Sequence, residues 1–256
     1  MAEGDSILRI ARRMESALGG SRISVRTPGR RRPEGLATAS IDGLALRRVE
    51  SRGKHLLLHF EDDLVLHSHL GMRGSWQLYR EGERWRRPGS QAWIALTGNG
   101  AEAVNFGGSM MRIVTEGQLR RDPRLGRLGP DVLADDFDPA AVVDRMRAIA
   151  PQIELGEALL GQRLVAGIGN IFKSEGCFEA GVDPARPVKS LSDEQIADGL
   201  QATRELMLEA VETGRQPHRV YRAAGRPCPR CGTPIRSRAQ GDSARTTYWC
   251  PECQPD

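Results

Sequence analysis

The pattern of hydrophobic and polar positions changes twice along this chain, and its first part is helical. Apolar residues near the start recur at the three- and four-residue spacing of one helix face: Ile7, Ile10, Ala11, Met14 and Leu18. Asp5 and Ser6 precede most of them, and both residue types accept hydrogen bonds from the free N–H groups of a first helical turn. The pattern therefore predicts a helix over residues 5–18.

Between residue 36 and about residue 115 the pattern becomes that of short strands. The stretch "KHLLLHFEDDLVLHSHL" places two apolar runs on either side of a turn at residues 61–63. The stretch "AWIALTGNGAEAVNF" repeats this arrangement around Gly98, Asn99 and Gly100, which favour a tight hairpin turn. Several short strands joined by tight turns predict a β-sandwich or a barrel-like domain.

After Pro130 the pattern becomes helical again. Residues 140–149 and 153–165 form two helical segments, "GIGN" at residues 167–170 interrupts the pattern, and a helix resumes at Ile171. The glycines would let the backbone approach a ligand, and the N–H groups that open the next helix attract an anion such as phosphate. An ordinary glycine-containing turn between two helices explains the same residues equally well.

The last helical segment covers residues 192–213 and opens with a capping box formed by Ser192 and Gln195. Its apolar face consists of Ile196, Leu200, Met207 and Val211. We therefore expect an α+β multidomain protein. Its parts are an N-terminal β-sandwich with a flanking helix over residues 1–125, a helical domain over 126–220, and a small cysteine-rich module over 221–256.

Composition is that of a soluble globular protein. Of the 256 residues, 39% are hydrophobic and 27% are charged, and the formal net charge is +4. No apolar run approaches the roughly 18–20 residues of a membrane span, and the N-terminus does not resemble a secretory signal. From Gly214 onward there are eight arginines and three acidic residues. A segment this basic attracts a polyanion, most simply a nucleic-acid backbone.

Four of the five cysteines form two CxxC pairs, Cys228 with Cys231 and Cys250 with Cys253, and 18 residues separate the pairs. At this spacing four thiolates can bind one Zn²⁺ tetrahedrally. Two disulfides are the alternative, but they need an oxidising compartment, and the missing signal peptide argues against one. We therefore expect one structural zinc ion that closes a β-hairpin too small for its own core. Cys177 has apolar neighbours, which is typical of a buried thiol.

Five stretches resemble, in the same order, the formamidopyrimidine-DNA glycosylase / endonuclease VIII family. "LVAGIGNIFKSEGCFEAG" at residues 164–181 resembles its helix–two-turn–helix motif, and "CPRCG…RTTYWCPECQ" resembles its C-terminal zinc finger. "RGKHLLLHF" is similar to its lysine-bearing hairpin, "HSHLGMRG" to the following strand and loop, and "MAEGDS" to its N-terminus. The resemblance spans essentially the whole chain. It implies a bifunctional enzyme that flips an oxidised base out of duplex DNA, removes it and then cuts the strand.

The resemblance also implies which residues carry the chemistry. The amine of Ala2, exposed once Met1 is removed, would attack the sugar C1′ and form a Schiff base. Glu3 matches the family's catalytic glutamate, a proton donor or shuttle. Without the resemblance, Glu3 would be read as an acidic residue favoured by the dipole of the first helix.

Further residues match family positions that contact DNA. Lys54 and Asn170 match residues that bind the backbone at the lesion, and Arg245 matches the zinc-finger arginine that grips the phosphates flanking the flipped nucleotide. Met72 matches a residue that fills the gap left by the flipped base, and Phe106 resembles an aromatic wedge beside the opposite base. Without the resemblance, Lys54 and Arg245 would be solvated surface charges. Met72 and Phe106 would be ordinary core side chains of a β domain.

Three departures from the family pattern bear on activity and substrate. Ala2 stands where the family nucleophile is normally proline, and Gly161 precedes Gln162 where aspartate is common. Val104 and Asn105 precede Phe106 where the 8-oxoguanine enzymes carry arginines. This last change, together with "EGD" at residues 3–5, favours the endonuclease VIII side of the family and oxidised pyrimidines as substrates.

The residues are also compatible with other classes of function. The chain could be a lesion-binding protein that lost its nucleophile, or mainly an AP lyase. A zinc-ribbon regulator of transcription would leave Glu3 and Lys54 without a role. We expect damaged double-stranded DNA as the partner, no membrane partner, a monomer, and a cytoplasmic, bacterial-type protein.

Overall fold

The structure, a computed structural model, describes residues 2–29, 33–242 and 244–255. The chain divides into two compact units, residues 1–126 and residues 127–256. The expected further boundary between residues 220 and 221 stays a prediction. No helix within the described ranges is long and apolar enough to cross a membrane.

The described part of the first unit begins with helix α1 (Gly4–Leu18) and contains two four-stranded antiparallel sheets. Its strands are β1 (Ser24–Arg26), β2 (Leu46–Arg52), β3 (His55–Phe60), β4 (Leu64–His69), β5 (Trp76–Arg80), β6 (Ile94–Gly98), β7 (Ala101–Asn105) and β8 (Met110–Thr115). One sheet has the order β1-β6-β7-β5 and the other the order β2-β3-β4-β8. Two short helices, α2 (Glu116–Arg120) and α3 (Pro123–Gly126), end the unit.

A hydrophobic core is shared by α1 and both sheets of this unit. Met14 enters it from α1, Leu56 and Leu66 from one sheet, and Ile94 and Ala103 from the other. Because side chains alternate along a strand, each sheet turns one face to this core. The predicted β-sandwich with a flanking helix is therefore confirmed.

Both predicted hairpins are present, with β3 paired to β4 and β6 paired to β7. Each turn contains two residues in the left-handed region. Asp62 and Asp63 have φ of 57° and 55°, and Asn99 and Gly100 have φ of 55° and 71°. Turns of this kind follow the natural twist of the strands, and Asn, Asp and Gly adopt them at the lowest cost.

The second unit contains four helices and a β-hairpin among its described residues. The helices are α4 (Pro139–Ile149), α5 (Leu155–Leu160), α6 (Asn170–Ala180) and α7 (Asp193–Thr213), and the hairpin strands are β9 (Arg236–Gln240) and β10 (Arg245–Trp249). The predicted capping box of α7 is confirmed, since Ser192 and Gln195 exchange backbone-to-side-chain hydrogen bonds. Cys177 is fully buried, as expected, and burial raises the pKa of its thiol to about 12.

The helix predicted over residues 153–165 is wrong in extent, because α5 ends at Leu160. Gln162 explains the early end. Its Nε2 donates to the carbonyls of Leu160 and Ile168 at 3.0 and 2.9 Å, and its Oε1 accepts from Gly167 N at 3.1 Å. One side chain thus folds the chain back, and the left-handed φ of 98° at Gly167 completes the turn.

Candidate functional site

The four paired cysteines form one cluster, in which all Sγ atoms lie within 4.8 Å of one another. The Sγ distances are 3.8 Å from Cys228 to Cys253 and 3.5 Å from Cys231 to Cys250. Four thiolates about 2.3 Å from a zinc ion lie about 3.8 Å apart, whereas a disulfide joins two sulfurs at about 2.05 Å. Backbone N–H groups point at two of the sulfurs, as thiolates require. The cluster fits the expected structural zinc.

Buried polar side chains join the hairpin to the helices of the second unit. Lys173 of α6 is fully buried, and its Nζ donates to Thr247 Oγ1 at 2.6 Å. Thr247 in turn donates to Gln240 Oε1 on the neighbouring strand. Gln240 Nε2 donates to Glu154 Oε2 and to the carbonyl of Pro184, both at 2.7 Å. The hairpin is therefore held by this network as well as by the metal.

This attachment places Asn170 against the second residue of β10. Asn170 begins α6, and its Nδ2 donates to the carbonyl of Thr246 at 2.9 Å. Arg245 directly precedes Thr246 and is exposed opposite Gln240. The two residues expected to bind DNA phosphates in this unit are thus neighbours, although their contact with DNA stays a prediction.

The basic segment that leads into the hairpin is anchored by a buried carboxylate. Glu175 of α6 is fully buried and accepts hydrogen bonds from the backbone N–H groups of Arg219, Val220 and Tyr221 at 3.1, 2.9 and 2.8 Å. A carboxylate is the side chain that can satisfy three converging donors. The segment therefore has a defined backbone path, and its Arg219 is ion-paired with Glu175 and Glu179.

In the first unit, Ala2 and Glu3 lie at the start of α1. Glu3 is fully buried, and its carbonyl accepts from the N–H groups of Ser6 and Ile7. Ala2 packs against the core of the unit and lines a cavity of about 240 Å³, to which Arg9 also contributes. Met1, whose removal we expect, lies outside the described residues. Packing on one side and a cavity on the other give Ala2 a defined position at the edge of that cavity.

Lys54 follows Gly53 in the turn between β2 and β3, where Gly53 has a left-handed φ of 56°. His69 of β4 lies close enough that burial first, and then the charge of Lys54, lower the pKa of its imidazole. Lys54 therefore lies in the turn of this hairpin, near an imidazole that is neutral at neutral pH.

Met72 and Phe106 have opposite environments. The side chain of Met72 is exposed, at 66%, which is uncommon for a large apolar residue and fits the expected filling role. Phe106 is 1% exposed and belongs to a hydrophobic cluster with Val104. The Arg87 guanidinium lies 5.0 Å above its ring and Trp85 meets its edge. This placement favours the core alternative for Phe106, because insertion between bases would require Arg87 to move.

Sequence reasoning missed several residues that shape these sites. The buried charges Lys173 and Glu175 carry no motif of their own; their only signal is their place within the helix–two-turn–helix stretch. His55 and His67 lie in the predicted hairpin, and their signal was the repetition of histidine on two adjoining strands.

Three family descriptions match successive parts of the chain. They are the formamidopyrimidine-DNA glycosylase N-terminal domain over residues 1–109, the formamidopyrimidine-DNA glycosylase H2TH domain over residues 128–221, and the zinc finger found in FPG and IleRS over residues 225–255. Together they cover both units and the hairpin.

Named relatives align along nearly the full chain. The probable endonuclease 8 2 of Streptomyces coelicolor is 41% identical over 99% of this chain and 94% of its own length. The DNA-(apurinic or apyrimidinic site) lyase Nei2 of Mycolicibacterium smegmatis is 34% identical over 99% of both chains.

Solved structures show the same fold. The crystal structure of MutM (Fpg) from Thermus thermophilus superposes with a TM-score of 0.82 at 31% identity, covering 100% of this chain and 99% of that one. Lactococcus lactis Fpg bound to DNA with an abasic site has a TM-score of 0.83 at 22% identity over the full length of both chains, which is evidence for the fold alone. With its sandwich, helix–two-turn–helix motif and four-cysteine finger, this chain belongs to the formamidopyrimidine-DNA glycosylase / endonuclease VIII family of DNA glycosylases and AP lyases.

Proposed function

We propose that this protein removes oxidised bases from duplex DNA and cleaves the strand at the resulting abasic site. The observation that carries the proposal is the start of α1, where the fully buried Glu3 adjoins Ala2, the residue that lines a cavity of about 240 Å³. The names of the relatives, endonuclease 8 and DNA-(apurinic or apyrimidinic site) lyase, point to the same activity.

The proposed reaction uses the N-terminal amine as nucleophile. The amine of Ala2 attacks C1′ of the damaged nucleotide, the bond from C1′ to the base breaks, and the base leaves with a proton. The sugar ring then opens to a Schiff base, and loss of a C2′ proton expels the 3′ phosphate and cuts the strand. An α-amine suits this step because its pKa near 8 leaves a neutral fraction at neutral pH, which an ordinary lysine lacks. Glu3 would carry the protons.

Lys54, Asn170 and Arg245 would each bind a DNA phosphate. The exposed Met72 would fill the gap in the stack. The zinc ion and the hydrogen bonds of Lys173 would fix the hairpin that carries Arg245. A fixed hairpin would hold the Arg245 guanidinium in position to bind a phosphate.

Oxidised pyrimidines are the proposed substrate class. Val104 and Asn105 replace the arginines of the 8-oxoguanine enzymes, and both side chains are fully buried, so neither can take over their contacts. We also expect a bacterial cytoplasmic protein that is a monomer. Light scattering of the purified protein would check the oligomeric state.

Trapping with borohydride tests the proposal. The protein is incubated with duplex DNA carrying one abasic site or one oxidised pyrimidine, and we expect strand cleavage and, with borohydride, a covalent complex linked at the Ala2 nitrogen in mass spectra. The Ala2→Pro variant should react up to about tenfold faster, because the proline ring fixes φ and aims the nitrogen. A different result would be that Met1 is retained and that no complex is trapped, in both the parent and Ala2→Pro. That result would favour a DNA-binding protein without catalytic activity.

A further inference from the structure

A row of polar side chains crosses one face of the β2-β3-β4-β8 sheet, beginning next to Lys54. His55 of β3, His67 of β4 and Arg112 of β8 lie on the face opposite the core, since Arg112 stands across from His67 and the alternate residues Leu56 and Leu66 enter the core. The row is continuous and mostly buried, which is unusual for polar groups unless they bond to one another.

The side chains of this row contact one another in sequence, and the donor and acceptor of each hydrogen bond can be assigned. Asp122, whose side chain is 2% exposed, is ion-paired with Arg112. The Arg112 guanidinium contacts His67 Nδ1 at 3.0 Å, and His67 Nε2 lies 2.8 Å from His55 Nδ1. A guanidinium has only donors, so Nδ1 of His67 must accept.

The position of each imidazole proton follows from this assignment. Burial, followed by neighbouring histidine and arginine side chains, lowers the pKa of both His67 and His55 to about 3, so both rings are neutral at neutral pH. A neutral ring whose Nδ1 accepts carries its proton on Nε2. His67 therefore donates from Nε2 to Nδ1 of His55, and His55 in turn carries its proton on Nε2, on the side of the ring away from His67.

The surroundings of His55 favour an anion as its partner. Its ring is 4.8 Å from that of His69, measured between centroids, and it directly follows Lys54 in the chain. The cations Lys54, Arg112 and Arg124 contribute to lowering the pKa values of these histidines. The anion of the series, Asp122, is separated from His55 by Arg112 and His67. A fixed, neutral N–H donor in a positive field suits a phosphate oxygen.

We propose that His55 donates its Nε2 proton to the DNA phosphate held by Lys54, and that Asp122, Arg112 and His67 act as positioning residues that fix the tautomer of His55. The phosphate contact rests on the proposed function. The tautomer of His55 does not depend on the proposed function, because the hydrogen bonds that fix it are present in the protein without DNA.

The tautomer is tested by nitrogen-15 NMR of the histidine rings in the unliganded protein. We expect His55 and His67 both as Nε2–H tautomers in the parent. In His67→Phe, His55 should become a mixture of tautomers. In His67→Gln, His55 should again be a single Nε2–H tautomer, because the glutamine amide oxygen can accept from Arg112 while its nitrogen donates to His55. A parent His55 protonated on Nδ1, or no change in His67→Phe, overturns the positioning series.

The phosphate contact is tested by binding to duplex DNA with a stable abasic-site analogue over a range of salt concentrations. Lys54→Met should make the salt dependence shallower by about one contact, since a released counterion accompanies each neutralised phosphate. His55→Phe should weaken binding about tenfold at every salt concentration and leave the slope unchanged, because a neutral donor releases no counterion. The His67→Gln variant should bind more tightly than His67→Phe.

These measurements separate the two proposals. Unchanged affinity in His55→Phe, with Lys54→Met behaving as expected, refutes only the role of His55. If Lys54→Met also binds as the parent does, and no Schiff base is trapped, the proposed function fails and the phosphate role of His55 fails with it.

Discussion

At the scale of single residues, the proposed chemistry depends on the backbone nitrogen of Ala2 and the carboxyl group of Glu3. Ala2 lacks the ring that orients a proline nitrogen, but its packing against the core of the first unit restricts the same backbone. Glu3 is fully buried and is the N-cap residue of α1. The packing of Ala2 thus bears on its proposed role as nucleophile, and the burial of Glu3 on its proposed role in proton transfer.

The Glu3→Gln substitution isolates the proton-transfer role of that carboxyl. The amide has nearly the same volume but no titratable proton, so we expect excision of an oxidised pyrimidine to fall by about 10²-fold or more while DNA affinity is unchanged. Single-turnover excision and fluorescence anisotropy measure the two quantities.

Glu15→Gln is the matched control, because it makes the same chemical change near the other end of α1, and the amide oxygen can still accept the hydrogen bond from Val49 N. It should excise like the parent. Undiminished excision by Glu3→Gln would remove Glu3 from the mechanism.

At the scale of elements, the second unit depends on close contact between α6 and α7. A Cβ atom added at Gly176 of α6 would lie 1.8 Å from Thr203 Oγ1 and 2.9 Å from Thr203 Cβ. These distances are far below van der Waals contact, so the glycine lets the two helices approach. The contact matters for the site because α6 carries Asn170, Lys173 and Glu175, which hold the hairpin and the basic segment.

The Gly176→Ala substitution should therefore destabilise the second unit. Alanine has a helix propensity about 1 kcal/mol better than glycine, but overpacking at a site this tight costs more, and we expect a net loss of about 1–3 kcal/mol. Urea denaturation followed by circular dichroism measures the free energy of unfolding.

Gly199→Ala is its control within α7, where an added Cβ would meet nothing within 4 Å. It should be neutral or slightly stabilising. A Gly176→Ala protein as stable as Gly199→Ala would show that the helices separate at little cost.

At the scale of the whole molecule, the first unit has its own core and the hairpin does not. The first unit buries a large apolar cluster between its sheets and α1, whereas the cluster beneath the hairpin has few members, two of them zinc-binding cysteines. Metal binding should therefore stabilise the hairpin and leave the first unit largely independent of it.

Replacing Cys231 with serine should release zinc and weaken DNA binding, because Arg245 loses its fixed support, while the first unit stays folded. Metal analysis gives the zinc content, and hydrogen exchange should show protected amides in β3 and β4 but faster exchange in β10. Cys177→Ala removes a cysteine outside the cluster and should retain one zinc per chain. A zinc-free Cys231→Ser protein that keeps the parent's DNA affinity would contradict a supporting role for the metal.

The sequence by itself determined the parts of this protein that repeat a short pattern. Helical spacing predicted α1 and α7, paired apolar runs around Asp62–Asp63 and Asn99–Gly100 predicted two hairpins, and the CxxC spacing predicted zinc. These features are local, since caps, turns and metal knuckles are formed by residues a few positions apart.

Only the tertiary structure decided which polar residues are buried and what they bond to. Lys173 and Thr247 are 74 residues apart, and Asp122, Arg112, His67 and His55 come from three strands and a loop, so no local pattern joins them. Gln162 ended α5 earlier than its apolar spacing predicted, through bonds to backbone atoms on either side of the turn. Phe106 matched a wedge position in the sequence but is covered by Arg87 and Trp85 in the fold. Burial and partnership are properties of the packed molecule, because a polar group is stable inside only where distant parts of the chain bring it a partner.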